Sequence, residues 1–328
     1  MRAARYHEYG DESVLTAEED VPEPTPSDDE VLVRVEAASV NPIDTYVREG
    51  NVEPAGGLPH VGGSDMAGVI ESVGSDVGDF AAGDRVFATG LGVFSPGTYA
   101  EYTVAPADML APLPDSVSFQ TGAAAAMAFA TAWRALIDRG ELSLGDACLV
   151  HGASGGVGHA ATQIAAAAGS HVVGTARDGD PASLVRSLGA DAVVDYRSED
   201  LAGELAEATD GRPLDVVFEP HADSNLEADL TRLERGGRIV IIGEESPIAI
   251  DSGTSMTAKQ ADADLRFMSI VASAEDQAPI LRRVGELLAD GTFTVEIDRT
   301  FGLNELSEAH AYLQSSGTLG KVVIDTQS

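Results

Sequence analysis

From residue 145 onward, six short apolar runs alternate with segments of helical pattern. The runs are ACLVHG, HVVGTA, DAVVDY, LDVVFE, RIVIIG and LRFMSIVA. Between them lie HAATQIAAAAG, PASLVRSLGA, EDLAGELAEATDG and SNLEADLTRLERGG. In the last of these, Leu226, Leu230 and Leu233 fall on one face of a helix that Gly236 brings to a stop. Leu184, Val185 and Leu188 repeat the pattern ahead of Gly189. Parallel strands require long crossovers, so strands joined by helices of this length predict a doubly wound parallel sheet in an α/β protein.

The first of those runs ends in HGASGGVGHA, residues 151 to 160. A strand turning sharply into a helix presents free backbone N–H groups and the positive end of the helix dipole, a setting for phosphate. Side chains there would hold a pyrophosphate away, which is why glycine is needed. Ser154, Gly155, Gly156, Val157 and Gly158 are therefore the expected pyrophosphate cradle of a dinucleotide site, with Ala153 departing from the strict G-x-G-x-x-G fingerprint. The same letters contain G-x-S-x-G, which would make Ser154 a hydrolase nucleophile with His221 or His310 as base. The many strands after the turn, and few parallel ones before it, favour the dinucleotide. No G-K-[ST] follows, so a P-loop is excluded. The second run ends at Ala176, where NAD-binding sheets carry an acid, and Arg177 follows. An arginine there accommodates a 2′-phosphate, which points to NADPH. Asp178 and Asp180 lower the local potential, and a plain surface arginine is the other reading.

The first 120 residues carry shorter strands broken by Gly, Pro and Asp: EVLVRVEAASV, AGVIESVG, GDRVFAT and YAEYTVAP. They predict an antiparallel, barrel-like β domain. After residue 273 come a helix with Ile280, Val284, Leu287 and Leu288, then FTVEI, LSEAHAYLQ and GKVVID. The expected plan is a catalytic β domain over 1–124 and 273–328 with a dinucleotide domain inserted at 125–272.

Composition narrows the function classes. There are 54 acidic against 20 basic residues, formally −34, and Lys259 and Lys321 are the only lysines. So acidic a surface repels nucleic acid. It repels itself in dilute buffer too, and about 1 M salt, with a Debye length near 3 Å, screens that repulsion. The balance resembles that of cytoplasmic proteins of extreme halophiles. No run approaches the roughly 18 apolar residues of a membrane span, and MRAARYHEYGDESVL lacks an apolar signal core, so a cytoplasmic location is expected. The lone Cys148 rules out an internal disulfide framework and any cysteine-rich zinc site.

GDACLVHGASGGVGHAATQ, residues 145 to 163, resembles the signature of the quinone oxidoreductase (zeta-crystallin) family, with Ala166 where a basic residue is expected. ASVNPIDTYVREG, GSDMAGVIESVG, GDRVFA, LGADAVVDY and AHAYLQSSGTLGKVVI are also similar to family segments, so the likeness spans nearly the whole chain. It implies the medium-chain dehydrogenase/reductase superfamily: a GroES-like β domain, a Rossmann domain, a cleft between them, an NADPH cofactor and a homodimer. Zinc-dependent relatives carry Cys, then a His-Glu pair; Asn41, Ser64 and Asp65 stand there, and AAMAFATAW supplies no third ligand. Zinc favours thiolate or imidazole donors, and no two histidines are paired at ligand spacing, so no metal is expected. A carbonyl polarised by hydrogen bonds alone suits activated acceptors, quinones or alkenes conjugated to a carbonyl. The resemblance implies that Asn41, Tyr46 and Thr131 line the acceptor site, with Asp44 orienting neighbours and Tyr46 or water donating the proton. Asn41 could instead only order the turn before Pro42. Val52 stands where relatives often have an aromatic. On the cofactor side the resemblance points to Tyr196 near the adenosine, Gly243 near a ribose, and Lys321 as a cofactor contact or a surface lysine; His221 has no assigned part. Tyr-x-x-x-Lys is absent, which rules out a short-chain dehydrogenase. Besides quinone reduction, reduction of enals and enones, or non-catalytic dinucleotide binding, stay open, as does one- or two-electron transfer.

Overall fold

The structure is a computed structural model that describes residues 1–315 and 317–328; Ser316 and the side chains of Ala274 and Glu275 lie outside the described set. It divides into two compact units, Met1–Ala130 with Val271–Ser328, and Thr131–Ile270. The first division falls inside the helix Phe119–Trp133, where the sequence had suggested 124/125.

In the second unit, β1 (Ala147–Val150), β2 (His171–Thr175), β3 (Ala192–Val194), β4 (Leu214–Glu219), β5 (Leu233–Ile241) and β6 (Asp264–Phe267) form one sheet in the order β3-β2-β1-β4-β5-β6. Every pairing is parallel. This is the order of dinucleotide-binding sheets, and its direction reverses beside β1, which puts the ligand crevice beyond the carboxyl ends there. The strands are short and valine-rich because helices cover both faces. Leu149, Val173, Val217 and Ile239 form a core with Leu205, Leu226 and Leu230 from the crossover helices. The expected sixth strand, Leu265 to Ala272, ends early at Phe267, which is exposed on the sheet's outer edge.

The first unit is built around Glu30–Val40, where Val31, Val33 and Val35 alternate into a core with Met66, Ile70, Val86 and Ala105. That strand pairs antiparallel with Asp65–Val73, Tyr102–Pro106 and Lys321–Asp325. The last pairing sets Val322 opposite Val40 and seats the C-terminal strand beside the strand leading into Asn41. A three-stranded sheet orders Thr16–Glu18, Ala3–Tyr6 and His60–Val61. Among the described residues no helix is long and apolar enough to cross a membrane.

Candidate active site

β1 delivers the chain to His151 and then Gly152, which takes φ +60, a left-handed conformation that costs glycine nothing. The turn closes with Ala153 N–H on Thr175 O and Gly155 N–H on Gly152 O, each 2.9 Å. Ala153 has ordinary backbone, so its departure from the fingerprint is harmless: Gly152 makes the bend one residue earlier, and the glycine directly after the strand was the overlooked signal. The helix Gly158–Ala167 starts pressed against this bend. A Cβ on Gly158 would lie 2.0 Å from the Gly152 carbonyl oxygen. Among the described residues, the amides of Ser154, Gly156 and Val157 donate to no protein acceptor. Three open donors at the positive end of a ten-residue helix can hold phosphate oxygens.

The remaining cofactor candidates follow the carboxyl ends of neighbouring strands. Arg177 comes two residues after β2; it is half-buried, and no carboxylate pairs with it among the described residues. Tyr196 comes two after β3 and is exposed, beside an Arg197 engaged by Asp195. Gly243 comes two after β5, its carbonyl accepting from Ala222 N–H. Sequence-distant strands thus bring these groups to one edge of the sheet. Ser154 has no imidazole partner among the described residues. His221 caps the helix Ala222–Arg232, its ring 3.8 Å from Glu245, and His310 belongs to the first unit. Among the described residues neither histidine is hydrogen-bonded to Ser154, so the hydrolase reading gains no support. Cys148 is buried, its thiol pushed up to about 12 by lost solvation.

Spacing gave no hint of one cluster. His151, Glu219 and Asp229 are all buried and bring one potential ligand atom each within 4.8 Å of one another. Strand ends and a helix assemble them; nothing local in the sequence does.

In the first unit, Asn41 precedes the helix Pro42–Arg48, and its amide N–H donates to Asp44 Oδ2 at 2.8 Å. Tyr99 Oη donates to the same oxygen at 2.8 Å. Burial pushes Asp44 up to about 6 against these two bonds. Asn41 is 3% exposed. Its Nδ2 donates to Asp65 Oδ2 at 2.8 Å and Ser64 Oγ at 3.2 Å, while Oδ1 accepts from Lys321 Nζ. Both amide hydrogens thus point inward, and in this arrangement Asn41 cannot present them to an acceptor. Asp65 also accepts from Ser39 Oγ at 2.6 Å and Met127 N–H at 3.2 Å. Lys321 is 4% exposed, not a surface lysine. Its ammonium reaches Val40 O at 3.3 Å and Asp65 Oδ2 at 3.8 Å, and all these contacts lie in the first unit. Burial lowers the lysine pKa and raises that of Asp65, and each charge counters the other's shift. Each donor on this carboxyl favours its ionised form. Tyr46 is 47% exposed, and its hydroxyl bonds to no described residue. Thr131 Oγ1, in the second unit, is buried and has no partner among the described residues.

Residues 27–115 match the family "Alcohol dehydrogenase GroES-like domain", and residues 188–324 match "Zinc-binding dehydrogenase". The quinone oxidoreductase of Lama guanicoe is 37% identical, covering 99% of this chain and 97% of its own. The chain belongs to the quinone oxidoreductase family. A solved Escherichia coli quinone oxidoreductase complexed with NADPH superposes with TM-score 0.89 at 29% identity over 99% of this chain and 100% of the other. An NAD-dependent alcohol dehydrogenase superposes with TM-score 0.90 at 31% identity over the same shares. The zinc in the second family's name can be tested against the residues present. Where zinc-dependent relatives place Cys and a His-Glu pair, this chain sets an amide, a hydroxyl and a carboxylate already saturated by donors. A lysine ammonium sits among them. Neither thiolate nor imidazole is offered, and the ammonium repels a second cation, so zinc does not fit here.

Proposed function

We propose that the protein is an NADPH-dependent reductase that delivers hydride to a quinone, or to an alkene conjugated to a carbonyl, without a catalytic metal. The supporting observation is the Lys321 ammonium bound to Asn41 and Asp65 where the superfamily's zinc ligands would stand. Bound NADPH supplies the hydride; the chain's residues bind, orient and handle the proton. Ser154, Gly155, Gly156, Val157 and Gly158 cradle the pyrophosphate, Arg177 meets the 2′-phosphate, and Tyr196 and Gly243 flank the adenosine and ribose. Asn41, Lys321 and Asp44 act as positioning groups that fix the helix Pro42–Arg48. Tyr46, carried on that helix with an uncommitted hydroxyl, donates to the acceptor oxygen as charge develops there. Thr131 contributes the other open hydroxyl.

Exposed Met256 and Phe267, on and beside the outer edge of the parallel sheet, support a homodimer, and the charge of −34 supports a salt-adapted cytoplasmic enzyme. Turnover of NADPH with a panel of quinones, enals and enones, in 0.1 M and in molar salt, tests the reading. Quinone-dependent oxidation that is faster in high salt is expected. Tight NADPH binding with no turnover of any acceptor would replace the enzyme with a binding protein. Undiminished activity in dilute buffer would end the salt reading.

A further inference from the structure

A chain of polar contacts runs from the glycine turn into the core of the second unit. Gly152 N–H donates to Thr175 Oγ1 at 3.1 Å, and that oxygen lies 3.2 Å from His151 Nδ1. His151 Nε2 lies 2.8 Å from Asp229 Oδ1 and 3.5 Å from Glu219 Oε2, so the two carboxyl groups meet around one imidazole nitrogen, within 4.8 Å of one another. Glu219 Oε1 then accepts from the His221 amide and from Asn225 Nδ2. Thr175 Oγ1 accepts from Gly152 and keeps one hydrogen and one lone pair for His151 Nδ1. In the Nε2–H tautomer the imidazole accepts from Thr175 and donates to Asp229. Glu219 Oε2 and Asp229 Oδ2 are buried, and no described N–H or O–H donates to them. Two carboxyl groups so close and so dry repel one another when both are ionised, which favours a proton held between them.

Among the described residues no ion pair joins a lysine or arginine to this cluster. The titratable groups acting on Glu219, Asp229 and His151 are drawn from those same three. The charged and titratable groups on the surrounding elements engage elsewhere. Arg232, on the helix of Asp229, bonds Thr209 and the Arg212 carbonyl. Arg238, on β5, reaches the Asp215 carbonyl and Asp146. The His221 ring lies near Glu245, and His159, on the helix after the turn, has Nδ1 3.3 Å from the Gly155 carbonyl. Burial pushes Glu219 up to about 8 and Asp229 up to about 7, and keeps His151 neutral by lowering its pKa.

We propose that His151, Glu219 and Asp229 are positioning residues that hold the turn from Gly152 to Gly158 in its binding shape only while the two carboxyl groups share a proton, so that cofactor affinity is linked to that proton. This rests on the reading of the turn as the NADPH site. Loss of the proton leaves two adjacent buried carboxylates, whose repulsion is relieved by parting β4 from the helix Ala222–Arg232 and releasing the imidazole that anchors Gly152 through Thr175. Apparent affinity falls with the competent fraction, so at pH 9, one unit above the Glu219 value of about 8, NADPH binds about tenfold more weakly than at pH 7. The 2′-phosphate, with a second pKa near 6, is already about 90% dianionic at pH 7 and adds little over that range. In Glu219→Gln the amide donates permanently to Asp229, preserving the charge of the proton-sharing pair.

The experiment measures NADPH dissociation constants from pH 7 to 9 for wild type, Glu219→Gln and Asp229→Asn. Hydrogen-exchange protection of the Gly152–Gly158 amides is followed over the same range without cofactor. The expected result is about a tenfold weakening in wild type and less than about twofold in the amide variants, with turn protection dropping near pH 8 in wild type alone. Variants that follow the wild-type curve would overturn the proposal. So would a stoichiometric divalent metal in purified wild type that Glu219→Gln loses, since a cation would then replace the proton. If NADPH fails to bind wild type at any pH, the proposed function fails, while the cofactor-free protection profile still decides whether the cluster controls the turn. Should a variant not fold, the other variant and the wild-type profile decide.

Discussion

Asp65 in the first unit and Glu219 with Asp229 in the second are equally removed from water, yet they are neutralised differently. Asp65 has an ammonium 3.8 Å away and three further donors from Ser39, Asn41 and the Met127 amide. Glu219 and Asp229 have one neutral imidazole and each other. A cation beside the Asp65 carboxylate counters the upward push of burial, and the carboxylate counters the downward push on the lysine. A carboxyl pair with no cation must hold a proton, and its charge follows the solution. The same chemistry therefore yields a permanent electrostatic scaffold around Asn41 and a proton-dependent one beneath the glycine turn.

The largest effect that would break this comparison comes from removing one side of the permanent pair. Lys321→Met strands Asp65 as a buried, uncompensated charge and is expected to cost about 3–5 kcal/mol in denaturant unfolding. Adding Asp65→Asn should return much of that loss. A double variant no better than the single one would show that Lys321 matters for packing and not for charge.

The second cluster should reveal itself in the pH dependence of stability. Glu219 is raised from an ordinary 4.5 to about 8, so the folded state binds more protons than the unfolded chain. Its contribution is then fully present below about 4.5 and is lost as pH rises through about 8, with a slope of at most about 1.4 kcal/mol per pH unit. Glu219→Gln should flatten this limb, whereas Lys321→Met should lower the curve and steepen its fall with rising pH, since Asp65 without its cation must also take up a proton. Unfolding midpoints collected from pH 5 to 9 separate the two. A slope unchanged in Glu219→Gln would assign the proton elsewhere.

The smallest structural effect is expected outside both clusters. Tyr46 is exposed and bonded to nothing described, so Tyr46→Phe should change stability by less than about 0.5 kcal/mol. If its hydroxyl supplies the proton, quinone turnover should fall by about 100-fold or more. An undiminished rate would leave water as the donor.

Much of the architecture was legible in the sequence because it is written in local periodicity. The valine-rich runs, the leucine faces at Leu226 and Leu230, and the glycine turn each carry their signal within a dozen residues. The resemblance also pointed to Asn41, Tyr46 and Thr131. The hydrogen bonding of those residues was not legible. Asn41 was expected to offer donors to an acceptor, but the strand Lys321–Asp325 brings an ammonium to it across 280 residues of sequence and turns its amide inward. Lys321 looked as much like a surface lysine as a buried one, since only its pairing beside Val40 decides. His151 and Asp229 meet across 78 residues, at the end of a strand and on the third turn of a helix. Such clusters are made by topology, and spacing along the chain does not encode them.

The central claim is that an ammonium, not a metal ion, stands behind Asn41 during reduction. The direct measurement is NADPH-dependent quinone turnover by protein stripped with a strong chelator, its metal content verified by elemental analysis before and after. The account predicts an unchanged rate in metal-free enzyme. Activity that disappears on chelation and returns with added zinc would contradict it.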